Sequence, residues 1–146
     1  MGTDIMRFLS KLLFVCVLGW CSLTSFAVAG ETDPLFVNLT TDDPHRANMG
    51  ISFGQHQLER GHPLTIFLND GGVRVAAKSG RNAQKFAEHQ KVLLDLMAKG
   101  AVVLVCPLCL NHYGMKESDL LPGIKVGSPE LTGSALFKEN TRSLSW

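Results

Sequence analysis

The chain has 146 residues, 45% of them hydrophobic and 18% charged, with a formal net charge of +1. That length suits one domain with a substantial core. A near-neutral balance with no basic stripe argues against nucleic acid, and no basic amphipathic segment points to a membrane surface, which leaves a small molecule or another protein as partner.

Arg7 and Lys11 precede an apolar stretch from Leu12 to Phe26, and Ala27-Val28-Ala29 follows with small residues. This charged, apolar, small-residue order predicts a secretory signal over residues 1–29, cut after Ala29, and so an exported, periplasmic protein. The competing reading is a retained anchor, but the run is near the lower limit for a bilayer and Ser22, Thr24 and Ser25 weaken its end. Cys21 follows Trp20 rather than a small residue, so lipidation is not expected there. Cleavage removes Arg7, Lys11 and Asp4 and leaves acidic and basic residues in balance. It also removes Cys16 and Cys21. Only Cys106 and Cys109 remain, too few for a disulfide scaffold.

Past the signal, apolar runs alternate with helix-like segments. Leu35 to Leu39 reads as a strand, followed by a polar loop through Asp42, Asp43 and Pro44. His45 to Arg60 reads as a helix closed by Gly61, with Met49, Phe53, His56 and Arg60 at helical spacing and Gly50 and Gly54 weakening it. Pro63 to Leu68 is a second strand, with Asn69-Asp70-Gly71-Gly72 as its turn and one helical turn over Val73 to Lys78. A helix follows from about Asn82 to Lys99, stopped by Gly100. Ala101 to Val105 is unbroken in its apolarity and reads as a strand buried on both faces. After the cysteines and a glycine-containing loop come a short helix at Ser118–Leu121 and a fourth strand at Ile124–Val126. Ser128 caps a helix with Pro129 at its first position, running to about Lys138, and Thr141 to Trp146 is a fifth strand or an ordered tail. Strands alternating with helices, and no hairpin signal, predict a three-layer α/β sandwich on a mostly parallel sheet of about five strands, spanning residues 30–146 as one domain.

Cys106 stands where a buried parallel strand ends, and ligands of such sheets collect there. Amides of the following segment favour a thiolate, the species that attacks a disulfide or a sulfane sulfur. Asn69, Asp70, Gly71 and Gly72 lie at another strand end. If the two strands are neighbours, Asp70 orients the site or holds a proton, and the glycines let backbone approach a ligand. His112 is close enough in sequence to tune a thiol or donate a proton. Tyr113 fits packing as well as it fits a site. Arg74 offers a cation for an anionic substrate, against the plainer reading of a solvated surface arginine. His45, His56, His62 and His89 read as solvated or hydrogen-bonded, and Ser128 and Ser134 lack a hydrolase context.

Other uses of the pair stay open. Cys106, Cys109, His112 and Met115 have a regular three-residue spacing, but methionine suits copper rather than zinc. A structural disulfide would close a very small ring and contribute modestly. A thioredoxin-like site would come after an early strand and open a long helix, whereas this pair comes late.

Val103-x-x-Cys106-x-x-Cys109 followed by Gly114, preceded by Met97-Ala98-Lys99-Gly100, resembles the DsrE/DsrF-like (YchN-like) proteins, as does Phe67-Leu68-Asn69-Asp70-Gly71-Gly72-Val73 with Ala76-Ala77. The family includes sulfur carriers of tRNA thiolation and sulfur oxidation, and the likeness covers most of Leu35 to Trp146. The resemblance implies an α/β sheet fold, homo-oligomers (trimers or hexamers), and a cysteine that carries sulfur as a persulfide. Members place that cysteine at either of two positions before the glycine; Cys106 matches one and Cys109 the other. The export signal departs from the best-known cytoplasmic members. It directs expectation to thiosulfate, polysulfide or thiol partners outside the cytoplasm.

The expectation is therefore an exported sulfur carrier or sulfurtransferase-like protein. Its site is Cys106, assisted by Cys109 and His112, with substrate met by Asn69, Asp70, Gly71 and Gly72. No cofactor and no metal are expected, and the partner is a small sulfur species or a thiol-bearing protein. The alternatives are a non-enzymatic oligomeric binding protein, whose pair is a disulfide or soft-metal site, and a thiol–disulfide oxidoreductase.

Overall fold

Five parallel strands carry the structure: β1 (Leu35–Leu39), β2 (Leu64–Leu68), β3 (Val102–Val105), β4 (Lys125–Val126) and β5 (Arg142–Ser145), in the order β4-β3-β2-β1-β5. The computed structural model describes Gly30 and residues 32–146. The expected export segment lies outside the described residues. No described helix is long and apolar enough to cross a membrane.

Alternation of side chains across the pleat builds two unequal faces. Leu35, Val37 and Leu39 of β1, Leu64, Ile66 and Leu68 of β2, and Val103 and Val105 of β3 are buried in one core cluster. Helix α1 (Pro44–Glu59) and helix α3 (Ala87–Ala98) cover that face with Ala47, Ile51, Leu93 and Leu96. The other face carries Phe36 against Phe67, their ring centroids 6.2 Å apart, and buried Leu104. Because parallel crossovers are right-handed, the return from edge strand β4 to the opposite edge β5 runs over this second face, through α5 (Pro129–Leu136). The result is the expected three-layer α/β sandwich, with its sheet entirely parallel.

Helix α1 starts where Asp43 accepts the Arg46 amide at 2.8 Å and Pro44 occupies the first turn. Its buried side is Ala47, Gly50, Ile51 and Gly54, while Met49 and Phe53 are exposed. The apolar spacing in the sequence thus marks a helix but picks out the wrong side of it. Small residues face inward because a side-chain carbon on Gly54 would stand 3.1 Å from Leu64. They let α1 lie close on the sheet.

The helix expected from Asn82 to Lys99 is broken. Helix α2 (Gly80–Lys85) stops at Phe86, whose backbone leaves helical geometry (φ −111°, ψ 17°) before α3 begins. Phe86 is fully buried and packs edge-on to the His89 ring at 5.6 Å. The change of direction lets that ring enter the core while α3 keeps Leu93 and Leu96 on the sheet. At the end of the chain, Ser128 caps α5 through the Leu131 amide at 3.1 Å, as its sequence predicts.

Candidate functional site

The register of the two central strands creates the site. Leu68 of β2 pairs with Val105 of β3, and the Cys106 amide donates to the Leu68 carbonyl at 2.9 Å. The chain leaving β2 at Asn69 and the chain leaving β3 at Cys106 therefore emerge side by side.

After β3 the sequence suggests a loop, and the structure has a short helix, α4 (Pro107–His112). Pro107 takes its first turn, where a missing N–H costs nothing, and Cys106 is its cap, accepting the Cys109 amide at 3.4 Å through Sγ. Gly114, at φ +65°, ends it with its amide on the Asn111 carbonyl, and the Met115 amide returns to Leu110. This paired termination needs a left-handed residue at position 114. Met115 then packs against the core. The proline after the strand was the available signal for this helix.

After β2, Asp70–Ala76 form a 3₁₀ helix whose first residue adopts the left-handed φ of +43°. The Asp70 amide, leaving the extended Asn69, donates to the Cys109 sulfur at 3.1 Å. Its carboxylate accepts the Tyr113 hydroxyl at 2.7 Å. Tyr113 in turn lies under the Arg74 guanidinium, 4.1 Å from the ring centroid, and Arg74 pairs with Asp42 at 2.6 Å. Lys85 donates to the Asp42 carbonyl at 2.6 Å. Asp42, Arg74, Tyr113, Asp70 and Cys109 are therefore linked hand to hand from the exit of β1 to the thiol pair.

The expected site residues divide on this geometry. Asp70, Cys109 and His112 line one open depression of about 310 Å³ together with Leu108 and Tyr113. Cys106 stands beside it, its sulfur accepting the Cys109 amide, and both cysteines are free thiols of intermediate exposure. His112 is on the rim, edge-on to Tyr113 at 4.7 Å, and among the described residues no hydrogen bond joins it to a sulfur. Asn69 faces away, donating to Asn38 at 2.6 Å. Gly71 and Gly72 are buried against the chain leaving β1: a side-chain carbon at 71 would meet the Asp42 amide nitrogen at 3.2 Å, and one at 72 would drive into the Leu39 carbonyl. The backbone approach these glycines permit is to β1.

Burial and nearby charge act on Cys109, Asp42 and Tyr113. Burial pushes the Cys109 thiol up, as do the neighbouring Cys106 sulfur and the Asp70 charge, against the pull of the Asp70 amide. The Arg74 bond holds the Asp42 carboxyl below its ordinary range, and the Asp70 carboxylate keeps the Tyr113 phenol protonated. Among the described residues, no three His, Cys, Asp or Glu side chains stand together to hold a metal ion.

Comparison with known proteins adds the lineage. The DsrE/DsrF-like family profile matches residues 35–138. The chain is 33% identical over 96 residues to Uncharacterized protein MJ0989 of Methanocaldococcus jannaschii, covering 64% of this chain and 83% of that one. It is 28% identical over 83 residues to Uncharacterized protein MK0008 of Methanopyrus kandleri, covering 57% and 68%. In fold it is similar to MTH1491 of Methanobacterium thermoautotrophicum (TM-score 0.60, 20% identity, 77% of this chain and 98% of that one). The ychN protein of E. coli is a second neighbour (TM-score 0.56, 17% identity, 79% and 99%). Both turns of the site fall inside the matched span, and the chain belongs to the DsrE/DsrF-like family.

Proposed function

We propose that this chain is a sulfur carrier that holds sulfane sulfur as a persulfide on its Cys106–Cys109 pair and hands it to an acceptor thiol. The observation that carries the reading is a pair of free, half-buried thiols where β3 ends, one of them under a backbone amide from the neighbouring end of β2, in a family associated with sulfur relay. Cys106 is taken as the attacking sulfur because it stands directly at the end of β3, where it caps α4 and accepts the Cys109 amide.

The steps balance as follows. The Cys106 thiolate attacks the outer sulfur of a persulfide R–S–SH, the S–S bond breaks, and R–S⁻ leaves with Cys106–S–SH formed. An acceptor thiolate then attacks that outer sulfur, regenerating the Cys106 thiolate. If no acceptor arrives, Cys109 attacks the inner sulfur instead, closing a Cys106–Cys109 disulfide and releasing H₂S. We place the carrier outside the cytoplasm on its Arg7-to-Ala29 export pattern, as a homo-oligomer, with a small sulfur species or thiol-bearing protein as partner.

Intact mass spectrometry of the reduced protein tests this under anaerobic conditions with cysteine persulfide or inorganic polysulfide. The expected result is one added sulfur that persists on Cys109→Ser, none on Cys106→Ser, and on wild type an adduct that gives way to the Cys106–Cys109 disulfide. Absence of the adduct from all three sinks the proposal. A second reading, a thiol–disulfide oxidoreductase, is favoured by two free thiols in one turn of α4, with the Cys109 amide on the Cys106 sulfur. It predicts a reversible disulfide and no sulfur adduct.

A further inference from the structure

The depression at the thiol pair has an acid at its mouth and, apart from the His112 imidazole on its rim, no basic side chain among the described residues. Of its five lining side chains, Asp70 is a carboxylate and none is lysine or arginine. Tyr113 fixes one carboxylate oxygen, and the other has no hydrogen-bond partner among the described residues. The cation that the sequence offered for an anionic substrate, Arg74, is committed elsewhere: Asp42 holds it at 2.6 Å and it stacks on the Tyr113 ring. Exposed Leu108, 78% accessible, gives the rim an apolar shoulder rather than a charged one. A reactant approaching the sulfurs through this depression meets a fixed negative charge first.

We propose that Asp70 is a specificity-determining residue, which turns the site against small sulfur anions such as thiosulfate and sulfite and toward thiols, persulfides and disulfides that are neutral or cationic around the reacting sulfur. This rests on the reading of the pair as nucleophilic. Two unit charges about 7 Å apart in water alter an encounter by about threefold, so reactants carrying opposite charges beside the sulfur differ by about tenfold.

Thiol–disulfide exchange with a charge series measures it. The reduced protein reacts with cystamine, bis(2-hydroxyethyl) disulfide and dithiodiglycolate: one thiolate displaces the first R–S⁻, the second thiol closes the protein disulfide and releases another. The protein loses two electrons and the probe gains them. Each rate is divided by that of 2-mercaptoethanol with the same probe, which removes intrinsic reactivity.

Wild type should favour cystamine over dithiodiglycolate by about tenfold, and Asp70→Asn should bring the ratio close to one. Asparagine tolerates the left-handed backbone, keeps the amide on Cys109, and still accepts from Tyr113. Any change in thiolate fraction cancels in the ratio. Wild type in about 1 M salt, where screening acts within about 3 Å, should lose the preference without any mutation. No preference in wild type, or an undiminished one in Asp70→Asn, overturns the proposal. Charge-ordered exchange with no sulfur adduct would sink the carrier reading alone, and an adduct without charge order would sink this one alone.

Discussion

Three glycine-to-alanine substitutions test the close approach that holds the site, and they differ in sign. At Gly72 the new methyl meets the Leu39 carbonyl oxygen, with the Leu39 carbonyl carbon 3.0 Å away. Neither partner can yield easily, since that oxygen accepts the Asn69 amide at 3.0 Å and the Gly72 amide donates to Asn69 at 2.8 Å. Relief requires parting the Asp70 turn from the end of β1, an overpacking cost of about 3 kcal/mol. At Gly71 the contact is with the Asp42 amide nitrogen at 3.2 Å, a matter of tenths of an ångström and about 1 kcal/mol. Gly133, inside α5, has only Phe137 at 4.0 Å, so alanine there should stabilise by about 0.5–1 kcal/mol through helix propensity. Urea unfolding of the reduced protein reads the series, and with a slope of about 2 kcal/mol/M the Gly72→Ala midpoint falls by about 1.5 M. A Gly72→Ala midpoint within about 0.25 M of wild type would refute the packing account. So would a Gly133→Ala loss exceeding that of Gly72→Ala.

Two further outcomes follow from the charges. Alkylation of Cys109 should titrate above the ordinary thiol value of 9.0 in wild type and at lower pH in Cys106→Ser, because a serine hydroxyl neither ionises nor competes for the proton; an upward move would contradict the coupling. The Asp42 carboxyl is depressed from 3.8 by Arg74, so its contribution is present above that pH and is lost as pH falls through the lower folded value. Both partners are about one-third exposed, so the increment is at most about 1 kcal/mol. Comparing urea midpoints of wild type and Asp42→Asn from pH 6 down to pH 3 should show the difference between them shrinking.

Much of the sheet was legible because its strands are short apolar runs with unmistakable stops. Leu35–Leu39 is matched residue for residue, and Gly61 and Gly100 punctuate the helices where expected. What misled was local reasoning about faces. Met49 and Phe53 look like the buried stripe of α1, but a helix pressed close to a sheet buries Gly50 and Gly54 instead. The break at Phe86 was hidden for a similar reason, since only the core on the far side of the chain demands it. At the site, Cys106, Cys109 and Asp70 could be picked out by their places after apolar runs. The links from Asp42 to Arg74 and from Tyr113 to Asp70 span 32 and 43 residues, and no spacing rule reaches that far.

The strain at Asp70 connects the fold to the chemistry. A glycine would adopt φ +43° at less cost, and glycines already stand at the next two positions. The amide that donates to the Cys109 sulfur is backbone and needs no side chain at position 70. Aspartate therefore adds only its carboxylate, and that carboxylate is tied to nothing but Tyr113 among the described residues. It raises the Cys109 pKa rather than lowering it, so it does not serve to activate that thiol. Beyond anchoring Tyr113, the role proposed for it is control over what approaches, with the backbone of one residue on the sulfur and its side chain facing the incoming reactant. A left-handed aspartate whose charge does not activate the neighbouring thiol is what the proposed selectivity requires, and the charge series decides whether anchoring Tyr113 is its whole task.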